Sequence, residues 1–176
     1  MQPNDSIIFA SQSATATGST QKLHHDLLDQ RLPAALRAIN RNDLANGIWF
    51  DRSQQQNRMN DAIKQAASSA PLGLLLWTMP WQASNYVREV ELPLFNPVKF
   101  HQHGRHVLGV MFEPSALPPG EINKFLSLDT DGGGGVQWLN YKDRYAYSQL
   151  SDADRNRFAT RIAIEIAGLL PIAKVA

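Results

Sequence analysis

Apolar and polar residues alternate along "YVREVEL", Tyr86 to Leu92. Successive side chains of a strand point to opposite faces, so a strand here sets Tyr86, Arg88, Val90 and Leu92 on one face and Val87, Glu89 and Glu91 on the other. "LGLLLWTM", from Leu72, is apolar on both faces, the pattern of a central strand covered on two sides. "IWFDRS" and "VQWLNY" read as short strands. In the strand after Gly104, His106, Leu108, Val110 and Phe112 share a face. Helical spacing governs the rest. A first helical region runs from about Gln21 to Asn46, with Pro33 in the first turn of a second helix and Gly47 as its end. "QQQNRMNDAIKQAASS" carries Met59, Ile63 and Ala66 or Ala67 at helical spacing, with Asp51 or Ser53 as its cap. "LPPGEINKFLSL" is a short helix after two prolines. Ser151 and Asp154 form a capping box for "ADRNRFATRIAIEIAGLL", whose stripe is Phe158, Ile162, Ile166 and Leu169.

These elements imply a fold. Asn96-Pro97 and Gln102 to Gly104 are turn signals, and short hairpin connections favour antiparallel pairing. The expectation is an α+β domain, an antiparallel sheet with helices packed mainly on one face. "ASQSATATGST", Ala10 to Thr20, is small and polar, so residues 1–20 read as a mobile lead-in and 21–176 as a single domain.

Composition narrows the function classes. The 176 residues include no cysteine, which excludes disulfides, thiolate zinc sites and cysteine nucleophiles. Lys+Arg is 17 against Asp+Glu 16, and no basic cluster occurs, so nucleic acid is not an expected partner. The N-terminus lacks the basic start and apolar run of a secretory signal, and "GLLLW" and "IAGLLPIA" are too short to span a bilayer. A cytoplasmic protein without membrane contact is expected.

Few residues carry recognisable chemistry. His101, His103 and His106 cluster near a polar turn with no carboxylate at ligand spacing, so no metal site is expected. Gly132 to Gly135 precede a strand rather than a helix and lack the lysine of a phosphate loop, so no nucleotide cofactor is expected. That loop is a flexible turn or a donor of backbone N–H groups to a carboxylate. Glu89 and Glu91, beside Lys99, fit a solvent-facing hairpin edge. No serine elbow is present. Arg88 stands out, because a guanidinium among Tyr86, Val90 and Leu92 needs a partner. The partner is a core carboxylate, Glu165 or Asp51, or the anion of a ligand.

"SNYVREVEL", Ser84 to Leu92, resembles the motif before the central hairpin of bacterial chorismate lyases and of related ligand-binding domains of transcription regulators. The order of "WFDRSQQQNRMNDAI", "LGLLLWTM", "NPVKFHQHGRHVLGV" and "INKFLSLDTDGGGGVQWL" is also similar, so the likeness covers about Leu44 to Leu139. The resemblance implies a cofactor-independent carbon–oxygen lyase, or a sensor, that binds a small aromatic acid and forms 4-hydroxybenzoate if catalytic. It implies Arg88 as the carboxylate anchor, Gly133, Gly134 and Gly135 as backbone donors to the ligand, and Glu165 as the acid. Here the C-terminal region is helical where the family ends in a strand. The alternative is a protein-binding module without catalysis, of the immunity-protein, chaperone or inhibitor type.

Overall fold

A computed structural model describes residues 6–12, 18–50, 60–85, 87–94, 104–126, 128 and 136–172. Its centre is one sheet of five parallel strands: β1 (Ile8–Ser11), β2 (Ile48–Trp49), β3 (Leu72–Trp77), β4 (His106–Met111) and β5 (Gln137–Leu139). Their order is β2-β1-β3-β4-β5. The register sets Ile8 beside both Ile48 and Leu72, Leu74 beside Leu108, and Gly109 beside Trp138.

The expected antiparallel sheet is therefore wrong, for two reasons. Within "YVREVEL" the described residues are not a strand: Val87–Glu91 is a wide helical turn that runs on into a short helix, Leu92–Leu94. Ser84 starts that turn, its Oγ accepting from the Val87 N–H at 3.3 Å. Seven residues of mixed polarity fit either period, and packing of Val87 against α4 decides for the helical turn, with Ser84 as its cap. The second reason is β1. Its four residues lie inside the segment read as a mobile lead-in, yet all four are buried and pair with β3, and Ile8 and Phe9 pair with β2 as well. With β1 inside the sheet, between β2 and β3, every strand is separated from its sheet neighbour by a helical crossover, and a crossover delivers the chain to a parallel partner.

Helices cover both faces, not one. On one face, α1 (Ser19–His25), a wide π-type turn (Asp26–Arg31) and α2 (Leu32–Ala38) form a continuous rod. Pro33 has no N–H and would crowd the carbonyl four residues back, and the wide turn absorbs it, with the Leu32 N–H bonding to Leu27 O five residues earlier. The short α3 (Asn42–Asn46) follows and ends at Gly47, as its sequence signals. The last helix packs beside the rod. Leu28, Leu32 and Leu36 meet Phe158, Ile162 and Ile166 over Leu74, Leu76 and Val110. Each such side chain stabilises the fold by about 1.5–3 kcal/mol on burial.

On the other face lie α4 (Asn60–Ser69), α5 (Met79–Ala83), α6 (Leu92–Leu94) and α7 (Pro119–Phe125). Ile63, Ala66, Trp81, Val87 and Ile122 there cover Leu75, Trp77, Met111 and Trp138. β3 is thus apolar on both faces because both are covered, as its sequence implied. The final helix, α8 (Asp152–Leu169), matches its sequence signals. Ser151 caps it by accepting from the Asp154 N–H, and Phe158, Ile162 and Ile166 are fully buried. No helix among the described residues is long and apolar enough to cross a membrane.

Candidate functional site

Five parallel strands place all their carboxyl ends along one edge. From β1 the chain crosses to β2 on one side of the sheet, then returns past β1 to β3, β4 and β5 on the other. The segment after β1 packs on one face of the sheet and the segment after β3 on the opposite face. The two segments thus diverge at the carboxyl ends of β1 and β3, the switch point at which doubly wound sheets bind ligands.

Polar groups converge there from three connections. Ser11, the last residue of β1, is buried, and its Oγ accepts from Trp81 Nε1 at 2.8 Å. Thr78 follows β3 and caps α5, accepting from the Trp81 N–H at 3.1 Å. Glu113 lies just past β4 and clamps the other two connections. Its Oε1 accepts from Thr20 Oγ1 and its Oε2 from the Met79 N–H, each at 3.0 Å. The clamp is seated on the sheet, because the Phe112 and Glu113 N–H groups both donate to Trp77 O.

His24 sits one turn beyond Thr20 on α1, with its ring centroid 4.4 Å from that of Phe112. It is buried, and its Nε2 has no hydrogen-bond partner among the described residues. Burial, assisted by His25 beside it, lowers its pKa to about 4, so the ring is neutral near pH 7. Phe112 stacks in turn on Tyr147, at 5.1 Å. The Tyr147 hydroxyl donates to Asp26 Oδ2 at 2.6 Å, and Arg31 Nε donates to the same carboxylate. Burial and the Asp26 carboxylate push the Tyr147 pKa up, so it stays a hydroxyl donor. Burial acts to raise Asp26, but the bonds from Arg31 and Tyr147 outweigh it and hold the carboxyl below its usual range.

On the β4–β5 side of Glu113 the edge deepens into a cleft of about 330 Å³. Met111, Pro114 and Leu117 line it from the connection after β4, beside Glu113 and Ser115, and Asn140 and Arg144 line it from the loop after β5. Arg144 belongs to a tight loop closed by paired backbone bonds between Tyr141 and Tyr145. Lys142 and Asp143 in that loop have φ of 49° and 59°, the left-handed region that non-glycine residues seldom adopt. Tyr141 Oη anchors the loop to α8 through Asp154 Oδ1 at 2.7 Å, and Arg161 Nη1 donates to Asn140 O at 2.8 Å. Arg144 itself lies over the Tyr145 ring, 4.6 Å from its centroid.

The residues singled out by sequence fall elsewhere. Arg88 does not point inward. It is exposed, and its Nη2 donates to Asn85 Oδ1 at 2.6 Å. Glu165 is half-buried on α8, whose core residues pack on the face opposite Val87, so the two expected partners lie across the sheet from each other. Glu165 is also three helical turns from Asp154, and therefore about 16 Å along the axis from the carboxyl edge. Asp51, His101, His103, Gly133, Gly134 and Gly135 lie outside the described residues. His106 opens β4, and no group of three His, Cys, Asp or Glu side chains converges among the described residues. Among the described residues the buried arginine is Arg41. It forks onto Asp43 at 3.0 and 2.8 Å and donates to Leu170 O, at the end of α8, at 2.6 Å. Sequence reading missed Thr20, Glu113 and Arg144. For Thr20 a signal existed: "SIIFASQSATATGST" is an apolar run followed by a hydroxyl-rich turn and a helix, as expected of a first strand-to-helix connection. The chain matches no family model, no curated protein and no solved structure.

Proposed function

We propose that this protein binds a small molecule in the crevice at the carboxyl edge of its sheet, between the connections that follow β1, β3 and β4. One observation carries the reading: a wholly parallel sheet in the order β2-β1-β3-β4-β5, whose switch point lies between β1 and β3. Such sheets bind ligands outside the carboxyl ends of the strands at the reversal, because the connections diverge there and leave backbone and side-chain polar groups unpacked. The polar side chains that meet there are Thr20 and Glu113, both half-exposed, and Ser11 and Thr78, both buried. The reading is binding rather than catalysis. The carboxylate anchor and the acid implied by the lyase resemblance, Arg88 and Glu165, are set on opposite faces.

The test is thermal shift followed by amide chemical-shift mapping. The panel contains chorismate, 4-hydroxybenzoate, mononucleotides and dinucleotides. A ligand at 100 times its dissociation constant adds about 2.7 kcal/mol, which raises the melting temperature of a chain this size by about 5–10 °C. Amides of Ser11, Thr20, Met79 and Glu113 should move with a shared saturation curve. Shifts confined to surfaces away from the carboxyl edge, or a blank across the panel, overturn the reading and favour the protein-partner class.

A further inference from the structure

The geometry points to a small organic monocarboxylate with an apolar body as the ligand class, held in the cleft between the β4–α7 connection and the Tyr141–Tyr145 loop, with Arg144 as its anchor. This inference rests on the reading that the carboxyl edge binds a small molecule, and it names the part of that edge which selects the ligand.

The charges around the cleft decide the sign of the ligand. Two carboxylates border it, and both are engaged. Glu113 accepts from Thr20 and from the Met79 N–H. Asp143 is largely in solvent and stands 3.6 Å from Arg161. No carboxylate pairs with Arg144 among the described residues. Its guanidinium carbon stands over the Tyr145 ring, 4.6 Å from the centroid, and a guanidinium held against a ring face can still offer two N–H groups to a planar bidentate acceptor. A phosphate is also an anion, but the facing connection sets a carboxylate, Glu113, and several apolar side chains against the cleft. Pro114, Leu117 and Met111 offer surface to a hydrocarbon body and few donors to three further oxygens. About 330 Å³ lies at the small end of the range for ligand sites, which suits a body of one ring.

Preorganisation supports the assignment. The loop that carries Arg144 is fixed by the Tyr141 bond to Asp154, by the Arg161 bond to Asn140 O, and by its own paired backbone bonds. An anchor on a fixed loop loses little freedom on binding. The loop also holds Lys142 and Asp143 in left-handed conformations, a local cost that the surrounding bonds enforce.

The experiment uses the full chain and four probes: benzoate, cyclohexanecarboxylate, benzamide and inorganic phosphate. Amide shifts of Ser115, Leu117 and Ala146 report the cleft, and those of Ser11, Thr20 and Met79 report the switch point. Benzoate and cyclohexanecarboxylate should move the cleft amides with a common dissociation constant, and Arg144→Gln should weaken both at least tenfold. Benzamide, the neutral isostere, should bind at least tenfold more weakly than benzoate. Arg144 is exposed, so the variant should fold, and an unchanged melting temperature checks this. The inference is overturned by equal binding of benzamide, by equal binding of phosphate, by an unaltered affinity in Arg144→Gln, or by no shift of cleft amides up to about 10 mM carboxylate. Shifts at Ser11, Thr20 and Met79 alone sink the monocarboxylate cleft and leave edge binding standing. Silence of both reporter sets, here and with the wider panel, removes both.

Discussion

Acidification from about pH 8 to about pH 4 should remove a defined part of this protein's stability through one residue, His24. The ring is 1% exposed, lies against Phe112, and has its pKa lowered from 6.5 to about 4 by burial and by His25. Between these two values the unfolded chain takes up a proton that the folded chain refuses. Stability contributed by the neutral ring is therefore complete above pH 6.5 and is lost as the pH falls towards 4. The linkage relation gives a loss of about 2 kcal/mol at pH 5 and about 3 kcal/mol at pH 4. Asp26 and Asp43, both held below the usual carboxylate range, act mainly at lower pH, so the window belongs to the histidine. The assay is urea unfolding followed by circular dichroism at several pH values, for the native chain and for His24→Leu. The native midpoint should fall steadily from pH 6.5 to 4. His24→Leu should be at least as stable at pH 8, because it removes a buried ring nitrogen without a partner among the described residues, and its midpoint should stay flat across the window. A native midpoint that does not move between pH 7 and 5, or a slope that persists in the variant, refutes the reasoning.

Other positions give predictions of different kinds. Gly109→Ala should cost about 3 kcal/mol or more, since a Cβ there runs into the Trp138 ring, which Trp77 and the Nε1 bond to Asn123 Oδ1 hold in place; a melt unchanged from the native chain contradicts this packing. Arg41→Ala should cost about 2–3 kcal/mol by leaving the last α8 carbonyls and Asp43 without their donor, and Arg41→Lys should recover only part of it, measured by chemical denaturation; full recovery by lysine shows that charge alone matters. Arg88→Ala should change stability by less than about 0.5 kcal/mol, because the side chain is exposed, whereas a loss near 3 kcal/mol returns it to a buried ion pair.

Local signals were legible wherever the sequence settled an element by itself. Ser151 with Asp154, and the stripe of Phe158, Ile162 and Ile166, describe α8 because a helix closes its hydrogen bonds within its own segment and shows its period directly. "LGLLLW" shows its two-sided burial for a similar reason: every side chain of β3 is apolar because each meets a covered face. Gly47 marks a helix end at which a Cβ would run into Ile7, and Pro33 marks a helix junction through its fixed φ and missing N–H. The tertiary structure alone decided the rest. A strand has no internal hydrogen bonds, so the direction and partners of β1, four residues long, depend on β2 and β3, which lie about 40 and 60 residues away in the chain. Val87–Glu91 carries too few residues to separate a period of two from a period near four, and packing against α4 fixed it as helical. Glu113, Thr20 and the Met79 N–H come from three connections, and Arg144 comes from a fourth. Only the order of the strands sets their ends side by side, so the edge where they meet is a property of the whole sheet and of no segment within it.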